Sequence, residues 1–212
     1  MRHLIVKAFS IILLVVEVSC SNKTKDQISE KEDNPLINEM YNKDIEIREL
    51  DAKTDTINLE EYDKKHREQI FRLLSENKVV TPKDKIRAAW ILQHTAAKIC
   101  DGELTSISSE NFLLAYNLSS NAFLQLEEKN DTATIRKEKI TRIIALNYDR
   151  YLLFTFGYQK YGTQFVFDDK TGEMLLAPID MTLTNDEERK KHNVEPLSIL
   201  LEKHKMKPIS KN

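Results

Sequence analysis

His94 falls three and four residues from Ala97, Ile91 and Trp90, so a helix through this stretch sets an imidazole in apolar company. An imidazole titrates near neutrality and can take a proton as a general base, and it can equally be a core side chain satisfied by one hydrogen bond. Asp149 and Arg150 pose a sharper question. On a helix Asp149 lies beside Ala145, Leu152 and Phe156, and Arg150 beside Leu146, Leu153 and Phe154. Adjacent residues point about 100° apart, so the two do not readily neutralise each other across a face. A buried unpaired charge costs several kcal/mol, so each must meet a partner elsewhere, either in a structural ion-pair network or on a ligand. Eight residues follow that are rich in amides, phenols and glycine: Gly157-Tyr158-Gln159-Lys160-Tyr161-Gly162-Thr163-Gln164. Glycine permits a tight backbone there, and Gln and Thr can read a ligand or satisfy buried backbone groups.

Other chemistries lack their residues. The five histidines include no HxxH or HxxxH pair and no CxxC occurs, so no metal is expected. Asp63 and His66, three apart, read as a solvated helix face. Asp168-Asp169-Lys170-Thr171-Gly172 lacks the alternating ligands of a calcium loop. No GxSxG, Walker or dinucleotide fingerprint is present, and no cofactor is expected. A formal net charge of −2 gives no field that would select nucleic acid.

The first nineteen residues have the form of a lipoprotein signal peptide. Arg2 and Lys7 precede an apolar run from Phe9 to Val16, too short to span a bilayer core of ~30 Å. Val18-Ser19-Cys20 resembles a lipobox, with Glu17 departing from its usual aliphatic position. Lipidated Cys20 then opens a polar tether over 20–35, which holds too little apolar surface to fold. A lipidated Cys20 cannot form a disulfide, which leaves Cys100 alone, read as a small buried hydrophobe at a helix end. The expected place is a membrane surface, periplasmic or outer-membrane, reached through the lipid. The expected company is a small polar ligand or an envelope protein.

One domain over 36–205, with a tail at 206–212, must position these residues. Only four glycines and five prolines among 212 residues favour helices. Helical spacing is expected over 36–50, 59–77 (entered at Asn58), 81–101, 109–128 and 134–156. Thr81-Pro82-Lys83-Asp84 is the clearest entry, and Gly102 the expected stop. The segment over 134–156 is apolar nearly all round from Ile143 and is expected at the centre. A β-hairpin follows over 164–177, with glycine closing its turn. A short helix opens at Thr184-Asn185-Asp186-Glu187, and another after Pro196. The fold class is mainly α: a helical bundle with one small β-hairpin near the C-terminus.

The chain resembles a widespread bacterial domain family of unknown function. Its members share a Gln-His pair in one helix, an Asp-Arg pair in a later one and a closing GxxQxYGTQ stretch. Here these are Gln93-His94, Asp149-Arg150 and residues 157–164, with Asp44 and Arg48, Asp63 and Arg67, and Asp84 ahead of Ala88-Ala89 corresponding earlier. The chain departs from the family pattern at Ile45, His66 and Thr95. The resemblance implies a shared fold and site over about 36–201, and no activity. Three functions stay open. A binding module would hold a polar ligand in a cleft lined by His94, Asp149, Arg150, Gln159, Thr163 and Gln164, with Gln93, Tyr161 and Arg48 contributing. A hydrolase or transferase would use His94 as general base, oriented by Asp44 or Asp149, with Arg150 or the Gln164 amide meeting developing negative charge. A structural or interaction protein would bury the same residues in a satisfied network.

Overall fold

Thr81-Pro82-Lys83-Asp84 starts a helix in the way its residues dictate. The Thr81 hydroxyl accepts from the Asp84 amide at 3.1 Å, and Asp84 Oδ2 accepts from the Thr81 amide at 3.2 Å. This reciprocal cap over a proline start is worth about 1 kcal/mol. The computed structural model describes residues 31–54, 57–95, 97–100, 103–106 and 108–208. The signal peptide and Cys20 lie outside them, as does Gly102.

In chain order the helices and strands are α1 (Pro35–Thr54), α2 (Leu59–Ser75), α3 (Pro82–Leu92), β1 (Ala97–Cys100), β2 (Glu103–Ser106), α4 (Glu110–Glu128), α5 (Thr132–Lys137), α6 (Ile140–Phe156), β3 (Phe165–Asp168), β4 (Glu173–Leu176), α7 (Asp186–Lys191) and α8 (Leu197–Lys203). The class is mainly helical, with an antiparallel hairpin near the C-terminus. Its register pairs Phe165 with Leu176 and Asp168 with Glu173, and Gly172 takes φ +70° in the turn.

Helix α3 lies against α1, α2 and α4, and α4 packs in turn on α6. Ile37, Ile70, Ile91 and Leu92 are at most 1% exposed in one apolar cluster, each contributing roughly 1.5–3 kcal/mol. Ile86, Ala122, Leu126, Ile140, Ile143 and Ile144 form a second cluster around the start of α6. Small Ala88, Ala89 and Ala115 let the helix backbones approach.

Several boundaries differ from expectation. The tether expected to run to Pro35 meets the domain at Asp33, because Asp33 accepts from the Thr81 hydroxyl and the Asn34 amide donates to Asp84 Oδ1. The tail expected from 206 begins later: the Lys207 amide donates to Leu176 O. The helix expected over 134–156 breaks at Lys139, which takes φ +51° and separates α5 from α6. The short helix α7 is capped by Asn185, which accepts from Glu188 N, and not by Thr184.

The largest difference concerns α3, which ends at Leu92. A second short hairpin, β1 with β2, follows where the helix was expected to continue, and Cys100 lies on β1, not at a helix end. Two arginines account for the stop. Arg67 Nη1 donates to the His94 carbonyl at 2.5 Å, and Arg150 Nη1 to the Gln93 carbonyl at 2.5 Å. These guanidinia take carbonyls that a longer helix would need for its ladder, and they complement the negative end of the helix dipole.

Candidate functional site

Asp44 and Arg48 stand one turn apart on α1 and therefore share a face. Arg48 Nε and Nη2 donate to the two oxygens of Asp44 at 3.3 and 3.2 Å, and Nη2 also donates to Asp63 Oδ1 on α2 at 2.5 Å. One guanidinium thus bridges two carboxylates from two helices. Asp44, only 2% exposed, also accepts from Trp90 Nε1 at 2.9 Å and faces His94 Nδ1 at 3.2 Å. With the proton on Nδ1, His94 donates to Asp44 and keeps Nε2 as an acceptor. That nitrogen has no hydrogen-bond partner among the described residues. The Trp90 ring stands edge-on to the imidazole at 5.8 Å between centroids.

The electrostatics set the charge state of this pair. Burial pushes the His94 pKa below its usual value, more strongly than Asp44 pulls it up, so the imidazole is neutral at pH 7. Burial also works against the Asp44 charge, but the hydrogen bonds from His94 and Arg48 and the Arg48 charge outweigh it and hold the carboxylate below its usual range. Asp63 goes the other way, raised to about 6 by burial and by the Asp44 charge. Arg48 pulls against that shift and does not win, because its charge is already shared with Asp44.

Arg150 on α6 supplies the opposite wall. Its Nε donates to Gln164 Oε1 at 3.1 Å and its Nη1 to Gln93 O. Among the described residues no carboxylate pairs with it. Its charge is met by two neutral acceptors and the partial charge of the α3 end. Burial and the neighbouring Arg48 charge lower its pKa to about 10, which leaves it cationic at neutral pH.

These side chains enclose a pocket of about 270 Å³ lined by Arg48, Asp63, Gln93, His94, Thr95, Arg150 and Gln164, with Phe112, Leu153, Phe154 and Phe165 as its apolar part. Gln93 is 4% exposed, and its Oε1 is buried without a partner among the described residues. A larger opening of about 590 Å³ lies beside Asn34 and Asp84. There Asp33, Asn34 and Asp84 already have protein partners, so the chemistry gathers in the smaller pocket.

Asp149, Gln159, Tyr161 and Thr163, expected in the cleft, stand behind its wall instead. Asp149 is 0% exposed and accepts from the amides of Lys160, Tyr161 and Thr163 at 2.8, 2.7 and 2.9 Å, and from the Thr163 hydroxyl at 2.8 Å. Burial pushes its pKa up, and the hydrogen bonds from Tyr161, Thr163 and Lys160 pull against that shift. Gln159 closes the loop by donating to Gln164 O and Ala177 O and accepting from the Gln164 amide. The Tyr161 hydroxyl donates to Glu188 at 3.1 Å and lies 3.2 Å from His192 Nε2, well away from the pocket residues in its contacts. The loop group still reaches the pocket through one chain. Gln164 Nε2 donates to Thr163 Oγ1, whose proton goes to Asp149, and this fixes Gln164 Oε1 toward Arg150.

Of the expected residues, the structure therefore brings together His94, Arg150, Gln93, Gln164 and Arg48. Asp63, read in sequence as part of a solvated face, belongs in this wall, its side chain only 11% exposed. The signal for it was present: Asp63, Arg67 and Ile70 are spaced four and three apart, and the latter two are buried. Asp44, Asp63 and His94 also offer donor atoms within 4.8 Å of one another, the set a divalent ion could use. Arg48 Nη2 already occupies the position between the carboxylates, so an ion would have to displace it. Among the described residues no helix is long and apolar enough to cross a membrane. Compared with protein-family models, curated proteins and solved structures, the chain matches none.

Proposed function

We propose that this chain is a cell-envelope lipoprotein, anchored through Cys20, whose helical domain binds a small polar anion in the pocket between α1, α3 and α6. The observation that carries the binding reading is Arg150. A half-buried guanidinium held by two neutral oxygens, with no carboxylate partner among the described residues, is a charge placed for something that arrives later. Gln93 Oε1 and His94 Nε2 add two acceptors without donors among the described residues, which a hydroxyl or N–H of the ligand, or a water bound beside it, can meet. A volume of about 270 Å³ is just below the usual range for drug-sized ligands, which fits a small molecule or one end of a larger one.

Trp90, the only tryptophan in the sequence, reports on this site because it touches both Asp44 and His94. Titrating the full chain with inorganic phosphate, acetate and dimethyl phosphate should change its emission saturably for at least one of them. Arg150→Met should weaken that binding by about 30-fold or more, the usual result of losing one partner of a desolvated charge pair. Equal affinity in the variant, or no saturable response to any anion, would refute the reading. A second reading, an enzyme, is favoured by one specific observation, the ordered Asp44–His94 pair, and is developed next.

A further inference from the structure

We propose that the pocket hydrolyses phosphodiesters, with His94 as general base and Asp44 as the residue that positions it. This rests on the anion-binding reading above. Three independent features of the wall converge on it. First, the imidazole is ordered: Asp44 holds Nδ1, and Asp44 is itself fixed by Trp90 Nε1 and Arg48, so Nε2 is the nitrogen left to accept a proton. Second, Gln93 and His94 both line this pocket, and Gln93 Oε1 and His94 Nε2, without partners among the described residues, offer acceptors to a water that enters it. Third, Arg150 provides fixed positive charge where an anionic phosphoryl centre and its developing charge would lie.

Charge selects the substrate class. Arg48 and Arg150 stand against two carboxylates, Asp44 and Asp63, both of which pair with Arg48, so the group is close to neutral and Arg150 is the guanidinium without a carboxylate partner among the described residues. One open cation suits a monoanion, which a phosphodiester is and a phosphomonoester at neutral pH is not. A carboxylate is also a monoanion, but when it binds Arg150 it offers no electrophilic centre beside the base. Among the described residues the lining holds no serine or cysteine, and the Thr95 hydroxyl is turned back to Leu92 O at 3.0 Å, so the nucleophile proposed is water. His94 Nε2 takes a proton from that water as its oxygen bonds to phosphorus. The P–O bond to the leaving alkoxide breaks, the alkoxide takes a proton from solvent, and the imidazolium returns its own to solvent. Water and a diester become a monoester and an alcohol.

The experiment uses the full chain with bis(4-nitrophenyl) phosphate, 4-nitrophenyl phosphate and 4-nitrophenyl acetate, and follows Trp90 emission with dimethyl phosphate in parallel. The expected result is turnover of the diester in preference to the other two, with His94→Gln slower by about 10²- to 10⁴-fold. The wild-type pH–rate profile should show an acidic limb from protonation of His94, below the usual histidine value, and Asp63→Asn, which removes the neighbouring group that titrates at about 6, should keep that limb. Asp44→Asn should lower kcat, leave KM within about threefold and move that limb, a change that a merely structural role would not produce. The wild-type profile needs no variant, so misfolding of a substituted chain leaves the test intact. Dimethyl phosphate binding that depends on Arg150, without diester turnover, overturns this proposal and leaves the binding reading standing. Loss of both brings down both. Turnover that survives in His94→Gln, or faster turnover of the acetate ester or the monoester, overturns the assignment of base or substrate.

Discussion

Replacing Asp149 with alanine removes the acceptor of the Lys160, Tyr161 and Thr163 amides and of the Thr163 hydroxyl at once. Each buried donor left without a partner costs about 1–3 kcal/mol. The loop will relax and admit water, and the fold no longer has to desolvate a charge, so the losses do not add in full. The net expectation is about 3–5 kcal/mol, the usual cost of breaking a buried charged group's bonds. With a urea m-value of about 2 kcal/mol/M, the midpoint of the full chain should fall by about 1.5–2.5 M. Asp149→Asn keeps the shape but turns an N–H toward donors, and should fall by about half as much or more. Thr163→Val removes one of the four bonds and should cost about 1 kcal/mol. Urea unfolding followed by far-UV circular dichroism reads all three. A shift of less than about 0.3 M for Asp149→Ala would show that this carboxylate does not hold the loop together, and the division of the polar residues into a pocket and a clamp would fail.

Further expectations follow from single contacts. Gly162→Ala should cost about 3 kcal/mol or more, because φ is +80° and the added Cβ would lie 2.6 Å from Leu200 Cδ2 and 2.8 Å from Ile179 Cδ1. Gly157→Ala, at the same φ with open space around it, should cost only about 1 kcal/mol by the same urea measurement. Tyr161→Phe should lose about 1 kcal/mol through its bond to Glu188 and leave anion affinity unchanged in the Trp90 titration. Asp63 gives a pH signature. Its folded pKa is raised to about 6 against an unfolded value near 3.9, so its contribution to stability is complete below pH ~4 and lost as pH rises through ~6. Asp63→Asn should therefore gain on wild type by about 2 kcal/mol between pH 4 and pH 7.5, and a constant difference across that range would refute the assignment.

What could be read in the sequence was whatever depends on near neighbours. The Thr81 cap, the buried centre of α6 and the Gly172 hairpin each arise within a few residues, and each is present. The end of α3 does not. Nothing between Ile91 and Ala97 forbids a helix; Arg67 and Arg150, 27 and 57 residues away, settle the matter by taking the last carbonyls. The break at Lys139 likewise carries no glycine or proline to announce it. Polar residues in apolar company identified His94, Asp149 and Arg150 alike, because burial of a charge is visible in periodicity. Which of them faces a pocket is not, since that depends on the chain brought opposite. Asp63 was obscured for a related reason. Its neighbours Glu60, Glu61, Lys64 and Lys65 are exposed, and the inward turn of one carboxylate is fixed by Arg48 on another helix.

The clamp and the pocket are separate networks joined at Gln164, and that junction has a mechanical consequence. Gln164 presents Oε1 to Arg150 only because its Nε2 is held by Thr163 Oγ1, and Thr163 Oγ1 is held by Asp149. The Gln164 main chain is gripped independently, its amide and carbonyl both bonded to the Gln159 side chain. An amide rotated by 180° would turn N–H toward a guanidinium, which has no acceptor to offer. Thr163→Val should therefore act on Arg150 without touching it: the amide gains freedom to rotate and the guanidinium loses a fixed acceptor. The expected outcome is anion binding weakened by about 3- to 10-fold, corresponding to about 1 kcal/mol, with the circular dichroism spectrum unchanged. Thr163→Ser keeps the hydroxyl and should restore affinity. If Val and Ser bind the anion equally well, Arg150 is placed by Gln93 O and its own helix alone, and the loop serves the fold and not the site.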